Sequence, residues 1–255
     1  MSWCDKLAST PVVGFKLNFH YSPPDELFEA FSPIIDAVSQ DGKPKFNINQ
    51  YEIGGVAFTT HEGFKYTADH SKISVGFEHI LRTRVVSAGP PIMEMLSQPR
   101  PFSKLLPVVA EKVIEATLLL NEFEPRTVHR VGIVSVTKIA EDELPPGIKR
   151  FFSYMARPWK HGVESFQYHT LANLGAGSGW TDRCVNTVVK PDEEPEEPLS
   201  LLFDWQRMFT EGRSVTLDAL RELLADAQEA AMTYFEELAE GSQFDEDLIR
   251  STVSA

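Results

Sequence analysis

The chain has 255 residues and a net charge of −13, and 42% of its residues are hydrophobic. This apolar fraction excludes a disordered protein, and no apolar run reaches the roughly 20 residues of a membrane-spanning helix. The N-terminus has no basic start followed by an apolar stretch, so we expect no secretory signal. Cys4 and Cys184 are too few for a disulfide framework or a cysteine-only metal site, which favours the cytoplasm. We expect no cofactor.

The acidic excess lies in two segments rather than along the whole chain. The segment 191–198 has five acidic residues and no base, and the segment 217–250 has ten acidic residues against two arginines. The rest of the chain carries equal numbers of acids and bases. These segments repel phosphate, so nucleic-acid binding is not expected, and they favour docking of a basic protein partner. The carboxylates expected to face this partner are Glu193, Glu194, Glu196, Glu197, Glu236 and Glu237.

Hydrophobic periodicity predicts the same order of elements twice along the chain. In the first half, a strand is expected at Val12–Tyr21, followed by a helix at Ser22–Gly42 with a kink or break at Pro33. Several strands are expected within Phe46–Val86, and a second helix at Ser103–Asn121. In the second half, a strand is expected at Val128–Ile139 and a short helix at Pro146–Met155. Three strands follow at Phe166–Leu171, Cys184–Lys190 and Leu199–Met208, and a long helix runs from a cap at Ser214 or Thr216 to Gly241.

The last predicted helix carries apolar residues at alternating spacings of three and four, which is typical of a core-facing seam. The two alanines of the seam let a neighbouring backbone come close. The same seam is compatible with a homodimer through this helix. Its members are Leu217, Leu220, Leu224, Ala227, Ala231, Tyr234 and Leu238.

The two halves also match in their offsets, since the segment Val13–Phe15 corresponds to Val131–Ile133 at a separation of 118 residues. We therefore predict an α+β fold in which two similar strand–helix–strands–helix halves, 1–125 and 126–255, are related by a pseudo-twofold axis. Antiparallel sheets would pack on long helices in one body. The second half contains the acidic loop 191–198 and the long C-terminal helix.

Four stretches carry a family resemblance: a Pro-hydrophobic strand at Thr10–Phe19, a central strand at Val131–Ile139, an acidic strand at Leu201–Met208 and the helix at Ala219–Leu238. In these pieces the chain resembles a sporadically distributed, uncharacterised family of bacterial conserved hypothetical proteins. The resemblance spans nearly the whole chain. It implies a bacterial source and favours a role in an accessory system, and it carries over no catalytic residue.

One base-rich aromatic segment, 145–163, is a candidate ligand site because it has four bases and no acid. Two interpretations are open. The positive charges would attract an anionic ligand, but the spacing of the apolar residues is also that of an ordinary core helix whose basic residues face solvent. Two arginines of a nearby predicted strand would extend the patch, and the glycine-rich hairpin 173–182 adds a tryptophan that would act as a mobile lid. The ligand-binding candidates are Arg82, Arg84, Lys149, Arg150, Arg157, Trp159, Lys160 and Trp180.

Histidine patterns favour neither a metal site nor an enzyme. His61, His70 and His79 recur every nine residues, which matches no ligand motif, so we interpret them as surface residues and expect no metal. The chain has no nucleophile elbow and no Gly-Lys-Ser/Thr phosphate loop. An acid–base role would fall to His129 with Arg130, or to His169 opposite Asp182 across the hairpin.

Three hypotheses follow. The leading one is a non-enzymatic cytoplasmic interaction protein of a bacterial accessory system, which would be antitoxin-like, an immunity protein or defence-associated. The first alternative is a protein that binds or senses a small anionic or apolar molecule. The second alternative is a hydrolase or transferase that uses His129, His169 or Asp182. An enzyme is the least favoured of the three.

Overall fold

A computed structural model describes residues 2–18, 24–39, 46–50, 55–60, 62–84, 92–95, 100–156, 165–190 and 198–244. The strands are β1 Thr10–Leu17, β2 Phe46–Gln50, β3 Gly55–Thr60, β4 Phe64–Asp69, β5 Lys72–Phe77, β6 Leu81–Arg84, β7 Ile92–Met95, β8 Thr127–Ile139, β9 Phe166–Gly177, β10 Trp180–Lys190 and β11 Leu199–Ser214. The helices are α1 Trp3–Leu7, α2 Pro24–Ser39, α3 Phe102–Phe123, α4 Pro146–Ala156 and α5 Leu217–Glu240.

Nine strands form one antiparallel sheet in the order β2-β3-β4-β5-β1-β8-β11-β10-β9, which confirms the predicted α+β class with an antiparallel sheet. The first strands of the two halves, β1 and β8, are neighbours at its centre, with Gly14 directly opposite Gly132. The remaining pair, β6 and β7, forms a separate two-stranded sheet. Both halves of the chain therefore contribute strands to a single sheet.

The helices cover one face of this sheet. Helix α3 packs on β1 and β5, α5 packs on β8 and β11, α1 contacts both of these helices, and α4 lies against α5. Alternate residues of each central strand face the helices and are buried, as in β1, where Val13 and Phe15 are fully buried while Val12 and Gly14 remain partly accessible. We call the opposite side of the sheet the open face.

Helix α5 follows its sequence signals closely. Thr216 is the N-cap and accepts the Ala219 backbone N–H, while Gly241 ends the helix in the left-handed conformation at φ 99°. The predicted seam is buried from Leu220 to Leu238, but Leu217 is 40% exposed and does not belong to it. Because this seam packs on the chain's own sheet and helices, it is not available to a homodimer.

Two other local predictions need correction. Helix α2 runs continuously through Pro33, so the helix is not split there. Helix α3 begins one residue before Ser103, whose backbone N–H and hydroxyl instead bond to the Asp5 carboxylate at 2.8 and 3.2 Å. The N-terminal cap of α3 thus comes from α1, which lies far away in sequence and close in space.

The glycine-rich stretch 173–182 is mostly strand rather than loop. Strand β9 continues to Gly177 and β10 begins at Trp180, so only Ser178 and Gly179 form the turn. Gly179 has φ 81°, a conformation that glycine adopts without strain in tight hairpin turns. No described helix is long and apolar enough to cross a membrane.

Candidate functional site

The most distinctive polar pair under the helices joins Asp182 on β10 to Arg207 on β11, which lie opposite each other in register. The Arg207 Nε and Nη2 atoms donate to the two carboxylate oxygens at 2.8 and 2.7 Å, and only about a tenth of either side chain is exposed. This bond raises the pKa of Arg207, so the guanidinium stays charged. The pair is bidentate and held at a fixed position on the sheet.

Trp180 completes a layered arrangement with this pair. Its indole ring lies 4.2 Å from the Arg207 guanidinium carbon, within cation–π distance. The ring also lies so close to Gly177 that a Cβ at that position would overlap it. The tryptophan therefore stacks on an arginine whose own position is fixed by Asp182, and it packs closely against a glycine.

A pocket of about 410 Å³ opens beside this stack, between the β9–β10 hairpin and the first turns of α5. We call it the hairpin pocket. The register of β11 against β8 shifts between Met208 and Arg213, after which Arg213 and Ser214 pair again with Val128 and Thr127 of β8. The lining residues are Trp180, Arg207, Phe209, Arg213, Ser214, Ala219, Glu222, Leu223 and Asp226.

The charges around the hairpin pocket are of both signs. Arg207 is neutralised by Asp182, whereas Arg213 is exposed, lies 5.3 Å from the Phe209 ring and has no ion-pair partner among the described residues. Helix α5 contributes the exposed carboxylates Glu222 and Asp226 from two successive turns. The pocket thus presents one unpaired cation and two carboxylates around an apolar interior.

The open face carries a second polar network directly behind the pocket. Gln206 is only 5% exposed, and its Oε1 atom accepts bonds from Arg183 Nε and Nη2 at 3.0 and 2.8 Å and from Arg130 Nη1 at 3.4 Å. Its Nε2 atom donates to Asp204 at 2.5 Å. Burial raises the pKa of Asp204 despite this bond and the nearby arginines.

This shift predicts a pH-dependent effect of Asp204→Asn. Ionising Asp204 is harder in the folded than in the unfolded chain, so the residue lowers stability as pH rises through the interval between its unfolded pKa of about 4 and its higher folded pKa. We expect the variant to gain stability relative to the parent between pH 4 and pH 7, measured by urea unfolding at both values. A stability difference that is equal at the two pH values would contradict this assignment.

The predicted ligand-binding residues do not form one patch in the part of the chain that the structure describes. Arg82 and Arg84 lie on β6, opposite Glu94 and Ile92 of β7. Lys149 and Arg150 are exposed on α4, and the Arg150 Nη2 atom donates to the Glu240 carbonyl at 2.7 Å, where it caps the end of α5. Trp180 lines the hairpin pocket, whereas Arg157, Trp159 and Lys160 lie outside the described residues.

The predicted acidic docking residues divide in the same way. Glu193, Glu194, Glu196 and Glu197 lie outside the described residues. Glu236 accepts the Cys4 backbone N–H at 2.8 Å, and Glu237 accepts a bond from Gln243 at 2.6 Å. Glu236 therefore helps to attach α1 to α5.

The proposed acid–base groups each bond to a different partner. His129 Nε2 lies 3.1 Å from the Thr127 hydroxyl, and His169 Nδ1 lies 2.9 Å from the Thr187 hydroxyl. His169 faces the open side of the sheet while Asp182 faces the helices, and β10 pairs Asp182 with Gly175. The expected pairing of His169 with Asp182 across the hairpin is therefore wrong. Among the described residues, no cluster of histidine, cysteine and acidic side chains is suited to hold a metal ion.

The sequence pointed to Trp180 but missed the other residues of the pocket. One sequence signal could have indicated the buried pair: a charged residue stands at an apolar position of each alternating strand, Asp182 in β10 and Arg207 in β11. Comparisons of the chain with protein-family models, with curated proteins and with solved structures find no match.

Proposed function

We propose that this chain is a non-catalytic binding protein whose small-molecule ligand occupies the hairpin pocket. The observation that carries the proposal is the stack of Trp180 on Arg207, which is fixed by Asp182 at the pocket wall. A buried ion pair costs desolvation energy and adds little stability over an apolar pair. Its presence beside an open pocket fits a preformed recognition surface, because binding sites combine apolar walls with a few fixed polar groups.

The lining chemistry favours a zwitterion of the amino-acid type over the purely anionic or apolar ligand expected from sequence. Arg213 would bind the carboxylate of such a ligand, and Glu222 with Asp226 would bind its ammonium group. Phe209 and Leu223 would contact the side chain. A ligand with only one sign of charge would leave one side of the pocket rim uncompensated.

Titration calorimetry with L-phenylalanine, phenethylamine and hydrocinnamate tests this proposal. We expect the amino acid to bind most tightly, because the other two compounds lack the carboxylate or the ammonium group. Removal of one charge-assisted hydrogen bond weakens binding about tenfold to a hundredfold. We expect such a loss for Arg213→Gln and for the double variant Glu222→Gln/Asp226→Asn.

Arg221→Gln is the matched control for these variants. Arg221 lies on the same helix but pairs with Glu111 of α3, outside the pocket. This variant should keep the parent affinity. Equal binding of all three compounds, or equal binding by the pocket variants and the control, would reject the zwitterion site.

We also propose that the two halves arose by duplication. From the centre of the nine-stranded sheet outward, β1-β5-β4-β3 and β8-β11-β10-β9 follow the same order. In the first half α3 packs on β1 and β5, and in the second half α5 packs on β8 and β11. The strands β9, β10 and β11 have 12, 11 and 16 residues, against 6 in each of β3, β4 and β5. The longer strands of the second half form one wall of the hairpin pocket. The pocket would therefore be a feature that only the second of the two copies acquired.

A second candidate function is the interaction role in a bacterial accessory system that the charge pattern predicts. The acidic residues Asp218, Glu222, Asp226 and Glu229 are exposed on α5 and favour a basic partner. Pull-down from the native host at low and high salt tests this role. Retention of a protein at low salt by the parent, and its loss from a charge-neutralised α5, would favour the interaction role. Equal retention by both would oppose it.

A further inference from the structure

Two glycines lie directly opposite each other on the open face, where the two halves of the sheet meet. They are Gly14 on β1 and Gly132 on β8. At Gly14 a Cβ would lie 2.8 Å from the Ile73 carbonyl oxygen and 2.8 Å from the Ser74 Cβ, so close packing accounts for that glycine. We call the part of the open face above these two residues, which lacks side chains, the glycine hollow.

No described residue requires glycine at position 132. Among the described atoms none would lie closer than 4.0 Å to a Cβ there, and the backbone is not in the positive-φ region that favours glycine. Glycine in the interior of a strand lowers stability and often marks a bulge, a tight bend, or the close approach of a ligand or another backbone. The pairing of Gly132 is regular with both neighbouring strands, so no bulge accounts for it. Gly132 therefore points to an occupant of the hollow.

Cations lie along one side of the hollow. The neighbouring strands β5, β1 and β8 carry three basic residues in directly opposed positions, Lys72, Lys16 and Arg130. This row lies two residues along the strands from the row of the two glycines and therefore on the same face of the sheet. A row of basic side chains on one face of the sheet favours the approach of an anion.

The arginines beside the hollow are held in place. Gln206 is the neighbour of Gly132 on β11, and its amide oxygen accepts bonds from both Arg130 and Arg183. Arg130 therefore extends from its own row towards the row of the glycines. The positive charges of Arg130, Arg183 and Lys72 all attract the Asp204 carboxylate. Three cations therefore surround one carboxylate at this place.

We propose that the glycine hollow binds a compact, multiply charged oxyanion, namely the phosphate or pyrophosphate group of a small molecule. Guanidinium groups donate in the paired geometry that phosphate oxygens accept. Opposed strands lie about 5 Å apart, so the two-glycine floor accommodates one such group rather than a nucleic-acid duplex. The site lies on the opposite side of the sheet from the hairpin pocket and does not depend on it.

Calorimetric titration with sodium pyrophosphate at low ionic strength tests the site. We expect Gly132→Val to bind pyrophosphate at least about tenfold more weakly, which corresponds to one lost charge-assisted bond, because the side chain fills the hollow. Its thermal midpoint should equal or exceed that of the parent, since valine suits a strand better than glycine. Arg130→Gln should weaken binding to a similar extent and provides a second variant should Gly132→Val not fold.

Two control variants separate this site from its surroundings. Thr187→Val alters the same face of the sheet on β10, and Arg213→Gln alters only the hairpin pocket; both should keep the parent affinity for pyrophosphate. Parent affinity in a folded Gly132→Val chain, or the absence of any pyrophosphate binding by the parent, would overturn the proposal. Binding of duplex DNA without binding of pyrophosphate would also overturn it, because the cations would then contact the extended phosphate backbone of a nucleic acid instead of one compact anion.

Discussion

We expect the Arg207→Met variant to lose about 3–5 kcal/mol of its free energy of unfolding, because the change leaves the Asp182 carboxylate buried without its partner. Asp182 is 8% exposed, and Arg207 supplies both of the hydrogen bonds described for its side chain. Methionine keeps much of the packing volume of arginine, so the loss reports the unpaired charge rather than a cavity. Urea unfolding of parent and variant at neutral pH measures this difference.

The double variant Asp182→Leu/Arg207→Met is the matched control. Replacing both partners of a buried pair by apolar side chains is often neutral or stabilising. We therefore expect the double variant to recover most of the stability that Arg207→Met loses, while zwitterion binding stays weakened. A double variant as unstable as the single one would show that the pair is needed for packing instead of recognition.

We expect Gly147→Val to cost about 3 kcal/mol or more, which is the upper part of the usual range for overpacking. Gly147 is buried at the start of α4, where a Cβ would overlap the backbone nitrogen and Cα of Gly241. Because these are backbone atoms, no rotamer change relieves the overlap. The ends of α4 and α5 would have to separate, and the Arg150 bond to the Glu240 carbonyl would be lost with them.

Thermal unfolding measures this loss, with Lys149→Ala as the control two positions along the same helix. Lys149 is exposed, so its replacement should change the unfolding free energy by no more than about 0.5 kcal/mol. Equal midpoints for Gly147→Val and the control would mean that α4 does not pack on α5 as described.

The elements that sequence predicts well are those whose signals are local. Thr216 and Gly241 mark the two ends of α5 by chemistry that acts within one helical turn. The strands β1, β8 and β11 show the two-residue alternation of a sheet with one buried face. At Pro33 the surrounding residues form one helix despite the missing N–H, so of the predicted kink or break only the break is excluded.

The arrangement of these elements depends on contacts between residues far apart in sequence. Asp5 caps α3 across 98 residues, and Ser103, the expected cap, is the group that it binds. The order of the nine strands and the position of Gly14 opposite Gly132 follow from pairing that no local pattern specifies. The internal repeat that we predict is compatible with this pairing, because two similar halves can place their first strands side by side.

The candidate site was predictable only in part for the same reason. Trp180 stood out because three glycines closely precede it in the sequence. Arg207 lies 27 positions later and reaches the indole ring only because the β10–β11 register places it opposite Asp182. A single-residue change of register would move Arg207 to another neighbour, so composition alone does not identify the pocket.

The indole N–H resonance of Trp180 in a proton–nitrogen correlation spectrum reports whether the hairpin pocket binds an amino acid. It is assigned by comparison with Trp180→Phe and followed while a mixture of the protein amino acids is added. A ligand in the hairpin pocket should shift this resonance and leave that of Trp205, which is fully buried in the core, in place. A Trp180 resonance that does not move during the titration would contradict the account.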